Sequence, residues 1–199
     1  MRLETRPAEA RDLPELKRMI DECLAVDYYS LEKLESSIQG EKNLFYVATD
    51  AEQNGAIAAF FYAFMSTLGE ALEILHVEAR PPALRAYGPD TPVGVYKTVS
   101  TGKAYRRSGI CSSFVRRMEP VMQARGAKLI LVPAMRSPAG AVPAKAILQD
   151  DGFAPIAEII RPWKDMELYC PYCGHYHCIC DAVFYVKHLD GTEDEDVRE

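Results

Sequence analysis

The sequence predicts an α/β (α+β) fold, a mixed sheet with helices on both of its faces. Three observations carry that expectation. Strand-like segments interleave with segments of helical spacing, in the order strand, two helices, three or four strands, helix, strand, helix, strand, strand. Of the 199 residues, 48% are hydrophobic and 26% charged, a balance that supports a buried core. The longest apolar run, 55–65, falls well short of the roughly 20 residues that a membrane helix needs.

The elements are justified in order. Residues 1–8 open with the alternation Arg2-Leu3-Glu4-Thr5, a strand. Asp12 and Glu15 have capping-box spacing, Pro14 suits a first turn, and Leu13, Leu16, Met19, Ile20, Cys23 and Leu24 recur at helical spacing. Cys23 on that stripe reads as a core thiol. Residues 31–38 form a second short helix ended by Gly40. Residues 43–49 and 56–65 are strands around a turn at 50–55, the second with weak alternation because both its faces are covered. Residues 71–79 are expected as a strand with Leu72, Ile74, His76 and Glu78 on one face, broken by Pro81-Pro82. Residues 93–101 are the next strand. A basic loop over 102–108 leads into a helix lined by Ile110, Phe114, Met118, Val121 and Met122, which Pro120 should kink or shorten and Gly126 ends. Residues 129–132 are a short apolar strand, 143–151 a short helix closed by Gly152, 154–168 largely extended, and 181–189 the last strand.

The net charge is −6, with 23 Lys and Arg against 29 Asp and Glu, which disfavours a whole-surface grip on nucleic acid. The charge is uneven. Eight Lys or Arg and one acid, Glu119, occupy 97–128, whereas 193–199 hold five acids and one Arg. The acidic tail is expected to be solvated.

The most informative stretch is Val99-Ser-Thr-Gly-Lys-Ala-Tyr-Arg-Arg-Ser-Gly-Ile-Cys-Ser-Ser-Phe114. A strand runs into a basic loop that opens an amphipathic helix. The first N–H groups of a helix lack internal partners, and its dipole favours negative charge there, so the turn suits a phosphate. Gly109 permits close backbone approach, Ser108, Ser112 and Ser113 are small, and Arg106 and Arg107 add charge. The Gly-x4-Gly-Lys-Ser/Thr loop and the three-glycine dinucleotide fingerprint are both absent.

Arg106-Arg-Ser-Gly109-Ile-Cys111 resembles the Arg/Gln-x-x-Gly-x-Gly/Ala signature of the GNAT superfamily of acyl-CoA-dependent N-acyltransferases. The stretch from Ala144 through Leu148 to Gly152-Phe153 resembles the second block of that family, Ala-x-x-x-Tyr-x-x-x-Gly-Phe, and the likeness spans 1 to about 165. The resemblance implies a mostly antiparallel sheet that splays at the cofactor strand. It implies that acetyl-CoA is the co-substrate. The main chain of Arg106, Arg107, Ser108, Gly109, Ile110, Cys111 and Ser112 would hold the pyrophosphate. Val99, Ser100 and Thr101 would line the acyl and pantetheine arm, recognised by strand addition. Cys111 stands where the family has Gly or Ala and is read as packing. Leu148 stands where many members place the Tyr that protonates the leaving thiolate, and Ala141 where an Asn often stands.

The implied reaction is direct attack of an amine, on a small molecule or a protein, upon the acetyl thioester, driven by positioning and backbone donors. Glu73, His76 and Glu78, on a strand beside the cofactor strand, are the candidate bases. Tyr96, Ser137 or a tyrosine of the C-terminal loop is a candidate replacement acid. Taken singly, each also reads as an ordinary strand or loop residue.

Cys170-Pro-Tyr-Cys173-Gly-His175-Tyr-His177-Cys178-Ile-Cys180 is dense in soft ligands. Cys-x2-Cys-Gly is a metal-knuckle pattern, and four thiolates suit structural zinc, with Cys170, Cys173, Cys178 and Cys180 as ligands and His175 or His177 as alternates. An iron–sulfur cluster and a redox thiol pair are the competing readings. In the family the last two strands form a hairpin whose connection borders the acceptor pocket. The cluster would therefore staple that wall, with Tyr169, Tyr172 and Tyr176 as candidate acceptor contacts; the alternative is a staple that merely rigidifies an exposed loop.

The expectation is one domain over 1–189, with the Cys-rich loop at 169–181 and the acidic tail at 190–199. A cytoplasmic setting, no membrane, no nucleic acid and a homodimer complete it. A non-catalytic acyl-CoA-binding or zinc-stapled interaction module is the alternative function. A zinc-ribbon nucleic-acid module ranks last, since only Arg161, Lys164 and Lys187 are near the cluster.

Overall fold

The computed structural model describes residues 1–189; the expected acidic tail at 190–199 lies outside the described residues. In chain order the elements are β1 (Leu3–Pro7), α1 (Leu13–Cys23), α2 (Leu31–Gln39), β2 (Asn43–Asp50), β3 (Ala56–Thr67), α3 (Leu68–Ile74) and β4 (Pro92–Thr101). They continue with α4 (Ile110–Ala124), β5 (Leu129–Arg136), α5 (Lys145–Asp150), β6 (Ala154–Ile159), β7 (Tyr169–Cys170), β8 (His175–Tyr176) and β9 (Asp181–His188). A seven-stranded sheet has the order β1-β2-β3-β4-β5-β9-β6, and β7-β8 form a separate small hairpin. Every pairing in the large sheet is antiparallel except β4 with β5. That parallel pairing covers only Val93↔Leu129, Gly94↔Ile130 and Val95↔Leu131. Beyond it the two strands part.

The core explains why the strand β3 lacks alternation. Phe61 packs with Phe114, Met118 and Leu148 under α4 and α5. Phe60 packs with Leu16, Ile20 and Leu34 under α1 and α2. Both rings are buried, each worth about 1.5–3 kcal/mol, so neither face of β3 can be polar. A third apolar cluster, including Leu68, Leu84, Val95 and Phe184, seats α3 and the loop that follows it. The helix α4 lies close on β4: a Cβ at Gly94 would meet Met122 Sδ at 2.1 Å.

Several expectations change. Residues 71–79 are not a strand. Thr67 caps α3, its hydroxyl accepting from the Glu70 amide at 3.4 Å, and Leu68, Ala71 and Leu75 form a helical apolar face. Glu73 therefore lies on α3, and His76 and Glu78 lie in the loop after it. Residues 154–168 are extended only through Ile159; Arg161 takes a positive φ of 47° and a turn follows. Strand β5 is longer than expected, eight residues instead of four. Pro120 does not end α4, because the donor it removes would serve the exposed side of the helix. Asp12 forms no box with Glu15. It accepts from both guanidinium nitrogens of Arg6, at 2.6 and 2.7 Å, and from the Glu9 amide at 2.8 Å, while Glu15 accepts from the Ile57 amide at 3.2 Å.

Among the described residues no helix is long and apolar enough to cross a membrane.

Candidate active site and thiolate cluster

The end of β4 and the start of α4 meet at a turn whose main chain is under-used. Gly102 N–H is bonded to Ala58 O at 2.9 Å and Tyr105 N–H to Gly102 O at 2.9 Å. From Arg106 to Ser112 no N–H is bonded to a main-chain carbonyl, among the described residues. Arg107 and Gly109 hold positive φ, 64° and 80°, which turns those amides outward at the head of α4. Thr101 Oγ1 lies 3.0 Å from Cys111 Sγ and joins the strand end to the helix start. Burial pushes the Cys111 thiol up, although Thr101 opposes it, which suits the packing role expected of this cysteine.

Where β4 and β5 part, they enclose a cavity of about 240 Å³. Tyr96, Lys97, Thr98 and Val99 form its β4 wall, and residues 132–135 of β5 form the other. These strand edges have no partner on the facing side, so an extended chain bearing amides could add to them. Cys111 and Leu148 also line this space, so the phosphate-type turn and the expected acid position open on one chamber. Ser100 is buried and lines neither cavity described here.

A second cavity of about 560 Å³ adjoins the first. Tyr28, Lys97, Pro133, Trp163 and Met166 line both. Lys97 sits at an irregularity in the register: Tyr62 pairs with Thr98 and Ala63 with Tyr96, leaving Lys97 as the extra residue of a bulge. Burial, with help from nearby Lys33, pulls its ammonium pKa down. Reading the strand by alternation misses Lys97. The one signal in the sequence is a cation inside the apolar run Val93-Gly-Val-Tyr-Lys97.

Of the candidate bases, His76 lines the second cavity, whereas Glu73 and Glu78 line neither. Tyr96 faces the first cavity, but its hydroxyl donates to Val115 O at 3.0 Å and its ring packs on Phe61 and Phe153. Ser137 receives no place in either lining.

The four cysteines Cys170, Cys173, Cys178 and Cys180 come together, with all sulfurs within 4.8 Å of one another. All are free thiols. Cys173 and Cys178 sulfurs are 3.9 Å apart, close to the ~3.8 Å edge of a tetrahedron built on Zn–S bonds of about 2.3 Å. The knuckle forms as its spacing requires: Gly174, at φ +74°, donates from its amide to Cys170 O at 2.8 Å. Desolvation opposes the Cys173 thiolate, yet the amides of Ile179 and His175 and the neighbouring thiols outweigh it and bring the pKa to about 7. Desolvation pushes Cys178 up to about 11 and raises Cys180 as well. Four sulfurs packed this tightly, one of them poised to ionise near neutral pH, fit a thiophilic cation. His175 and His177 do not join the cluster. His177 Nδ1 lies 3.3 Å from Lys164 O instead.

The cluster is tied to the sheet. Asp181, the residue after Cys180, accepts from Arg136 at 3.2 Å and from the Arg161 amide at 3.1 Å, and Arg136 also bonds Glu158 at 2.8 Å. Strands β6 and β9 pair as the expected final hairpin, with the cluster between them. The loop reaches the first cavity: Cys170, Pro171, Tyr172 and Cys178 line it. Burial raises the Tyr172 phenol pKa and the nearby Arg106 charge opposes it, so the loop extends toward the phosphate-type turn. Tyr169 and Tyr176 are exposed, meet edge to face with ring centroids 5.6 Å apart and line neither cavity.

No protein-family profile matches the chain, and no curated protein sequence matches it. Solved structures do. An Arabidopsis thaliana NAA60 in complex with acetyl-CoA superposes with a TM-score of 0.68 at 15% identity, covering 96% of this chain and all of that one. The ribosomal-protein-S18-alanine N-acetyltransferase of Escherichia coli gives 0.63 at 15%, covering 98% of each chain. A Streptococcus pneumoniae acetyltransferase of the GNAT family gives 0.60 at 16%, covering 94% and 100%. Together with the parted β4–β5 edge and the open amides at the head of α4, this likeness establishes that the chain has the GNAT fold.

Proposed function

We propose that the protein is an N-acetyltransferase that moves the acetyl group of acetyl-CoA to an amine. The observation that carries this reading is the seven-residue run of N–H groups without main-chain partners, 106–112, beside a cavity held between two strand edges. Such amides bind a diphosphate, and the strand edges take the amides of a pantetheine arm. The second cavity then receives the acceptor, and Lys97 marks the opening between them.

The amine nitrogen attacks the thioester carbonyl. The C–N bond forms, the C–S bond breaks, and the amine's surplus proton ends in solvent while the thiolate takes one back. Main-chain donors at the β4 bulge face the developing oxyanion. His76 is the candidate group to accept the amine proton, through water at the mouth of the second cavity. Water supplies the thiolate proton, since Leu148 has none to give and Tyr96 spends its own on Val115 O.

Cys170, Cys173, Cys178 and Cys180 would hold zinc, which would supply a closed, structural cross-link. The chain's part is to place the loop 170–178 as a wall of the first cavity, which keeps water from the thioester.

Calorimetry with CoA, followed by mass-spectrometric assay of acetylated product across an amine panel, tests the reading. Heat with CoA and acceptor-dependent product are expected. Leu148 at the usual acid position favours a second reading, a binding module: CoA heat without product from any amine would establish it. No heat with CoA or acetyl-CoA overturns both.

A further inference from the structure

The second cavity has a distinct charge. Lys33, Lys97 and His76 line it, and among the described residues no Asp or Glu lines either cavity. Neither Lys33 nor Lys97 has an ion-pair partner among the described residues. This is a cationic chamber in a chain of net charge −6, so it does not follow from bulk composition. Lys97 is half-buried, and an ammonium drawn out of water without a counter-ion costs free energy that an anionic ligand would offset. Hydroxyl and amide groups complete the lining. Tyr62, which bonds Asn43 at 3.4 Å, and Tyr29, which bonds Thr98 of the first cavity at 3.1 Å, belong to it.

We propose that this chamber selects an acceptor amine whose side chain carries a carboxylate a few bonds from its nitrogen, with Lys97 and Lys33 holding that side-chain carboxylate. The inference rests on the acetyl-transfer reading and deepens it. Lys97 belongs to both cavities, so a carboxylate paired with it lies beside the place where the acetyl group would sit. The nitrogen must then be close to the carboxylate, as in an acidic amino acid or in a peptide that begins with one. A polyamine meets three basic side chains and no acid there.

The test has two arms and a built-in probe. Trp163 is the single tryptophan of the chain and lines both cavities, so its fluorescence reports occupancy with or without turnover. The acetyl-CoA-loaded full chain is titrated at fixed ionic strength with glutamate, a tetrapeptide starting with glutamate, their glutamine counterparts and spermidine. Acetylated product is measured in parallel by mass spectrometry. At least one glutamate ligand is expected to bind about tenfold tighter than its glutamine counterpart, the value of one charge-assisted contact. The free amino acid and the peptide arms identify which source of the carboxylate the chamber takes. Lys97→Met and Lys33→Gln should each collapse the acid-to-amide ratio toward one, whereas Lys97→Arg should keep it. Equal Trp163 response to acid and amide in wild type, or a ratio unchanged in Lys97→Met and Lys33→Gln, overturns the proposal. Selective glutamate binding with no product from any amine leaves the carboxylate site standing and overturns the acetyl-transfer reading. Product from spermidine or glutamine exceeding that from glutamate does the reverse.

Discussion

Tyr29 Oη lies 3.1 Å from Thr98 Oγ1, which fastens the connection between α1 and α2 to β4 one residue past the Lys97 bulge. The Tyr29 ring is buried, and burial raises its phenol pKa well above the usual range, so the hydroxyl stays protonated and serves as a fixed strut. Tyr29→Phe removes one hydrogen bond, about 1 kcal/mol. Its main effect is expected on the acceptor side: a several-fold rise in acceptor KM with little change in CoA affinity. Steady-state kinetics beside calorimetry checks this.

Gly109 stands at φ +80°, and a Cβ added there would meet nothing within 4 Å, so the cost of a side chain is conformational. Gly109→Ala should lower stability by about 1–2 kcal/mol. The strain is relieved by turning the amides of 106–112 away from their present directions, so CoA affinity should fall at least tenfold while acceptor binding read by Trp163 persists. Calorimetry and fluorescence separate the two.

Metal removal should act on both substrates. The cluster loop walls the first cavity through Cys170 and Cys178, and the same β6–β9 connection lends Trp163 and Met166 to the second. The position of the cysteines in the sequence favours a larger effect on the acceptor; the lining predicts instead that chelation, or Cys173→Ser, weakens acetyl-CoA and acceptor alike. Elemental analysis should find one zinc in wild type and less in the variant. Unchanged affinities in metal-free protein would contradict the wall.

The Arg6–Asp12 pair gives a pH signature. Burial opposes the Asp12 carboxylate, but Arg6 and the Glu9 amide outweigh it and hold its pKa below the ordinary value. A depressed folded pKa contributes stability that is present above the unfolded value, about 3.9, and lost as pH falls through the folded one. Asp12→Asn should therefore cost about 1.5–3 kcal/mol at pH 7. The gap to wild type should narrow in denaturant melts as the pH falls below the ordinary carboxylate value of about 3.9.

Tyr96→Phe tests whether that phenol has a chemical part. Its hydroxyl donates into α4, so the substitution should cost about 1 kcal/mol and leave the rate of acetyl transfer within a few-fold. A loss of kcat beyond a hundredfold would return Tyr96 to the role of acid.

Much of this is readable in the chain. The strands around 50–55, the stripe of α4 and the turn at Gly109 follow from period and glycine chemistry, and the cysteine spacing names all four sulfurs that converge. The helix α3 reads as a strand because Leu72, Ile74 and His76 also alternate; Thr67 followed by Glu70, a capping signal, points the other way. Lys97 is hidden for a different reason. A bulge is set by pairing with a distant strand, and no local pattern shows which residue it turns out. The positive φ of Arg161, which stops the extended run after β6, is likewise fixed by its amide bond to Asp181, twenty residues on.

The three-residue parallel seam between β4 and β5 leaves the sheet as two leaves, β1–β4 and β5-β9-β6, joined along one short edge. A molecule lying in the gap would act as a rivet between them. Amide hydrogen exchange in the two leaves should then be independent in the bare protein and rise and fall together once CoA is bound.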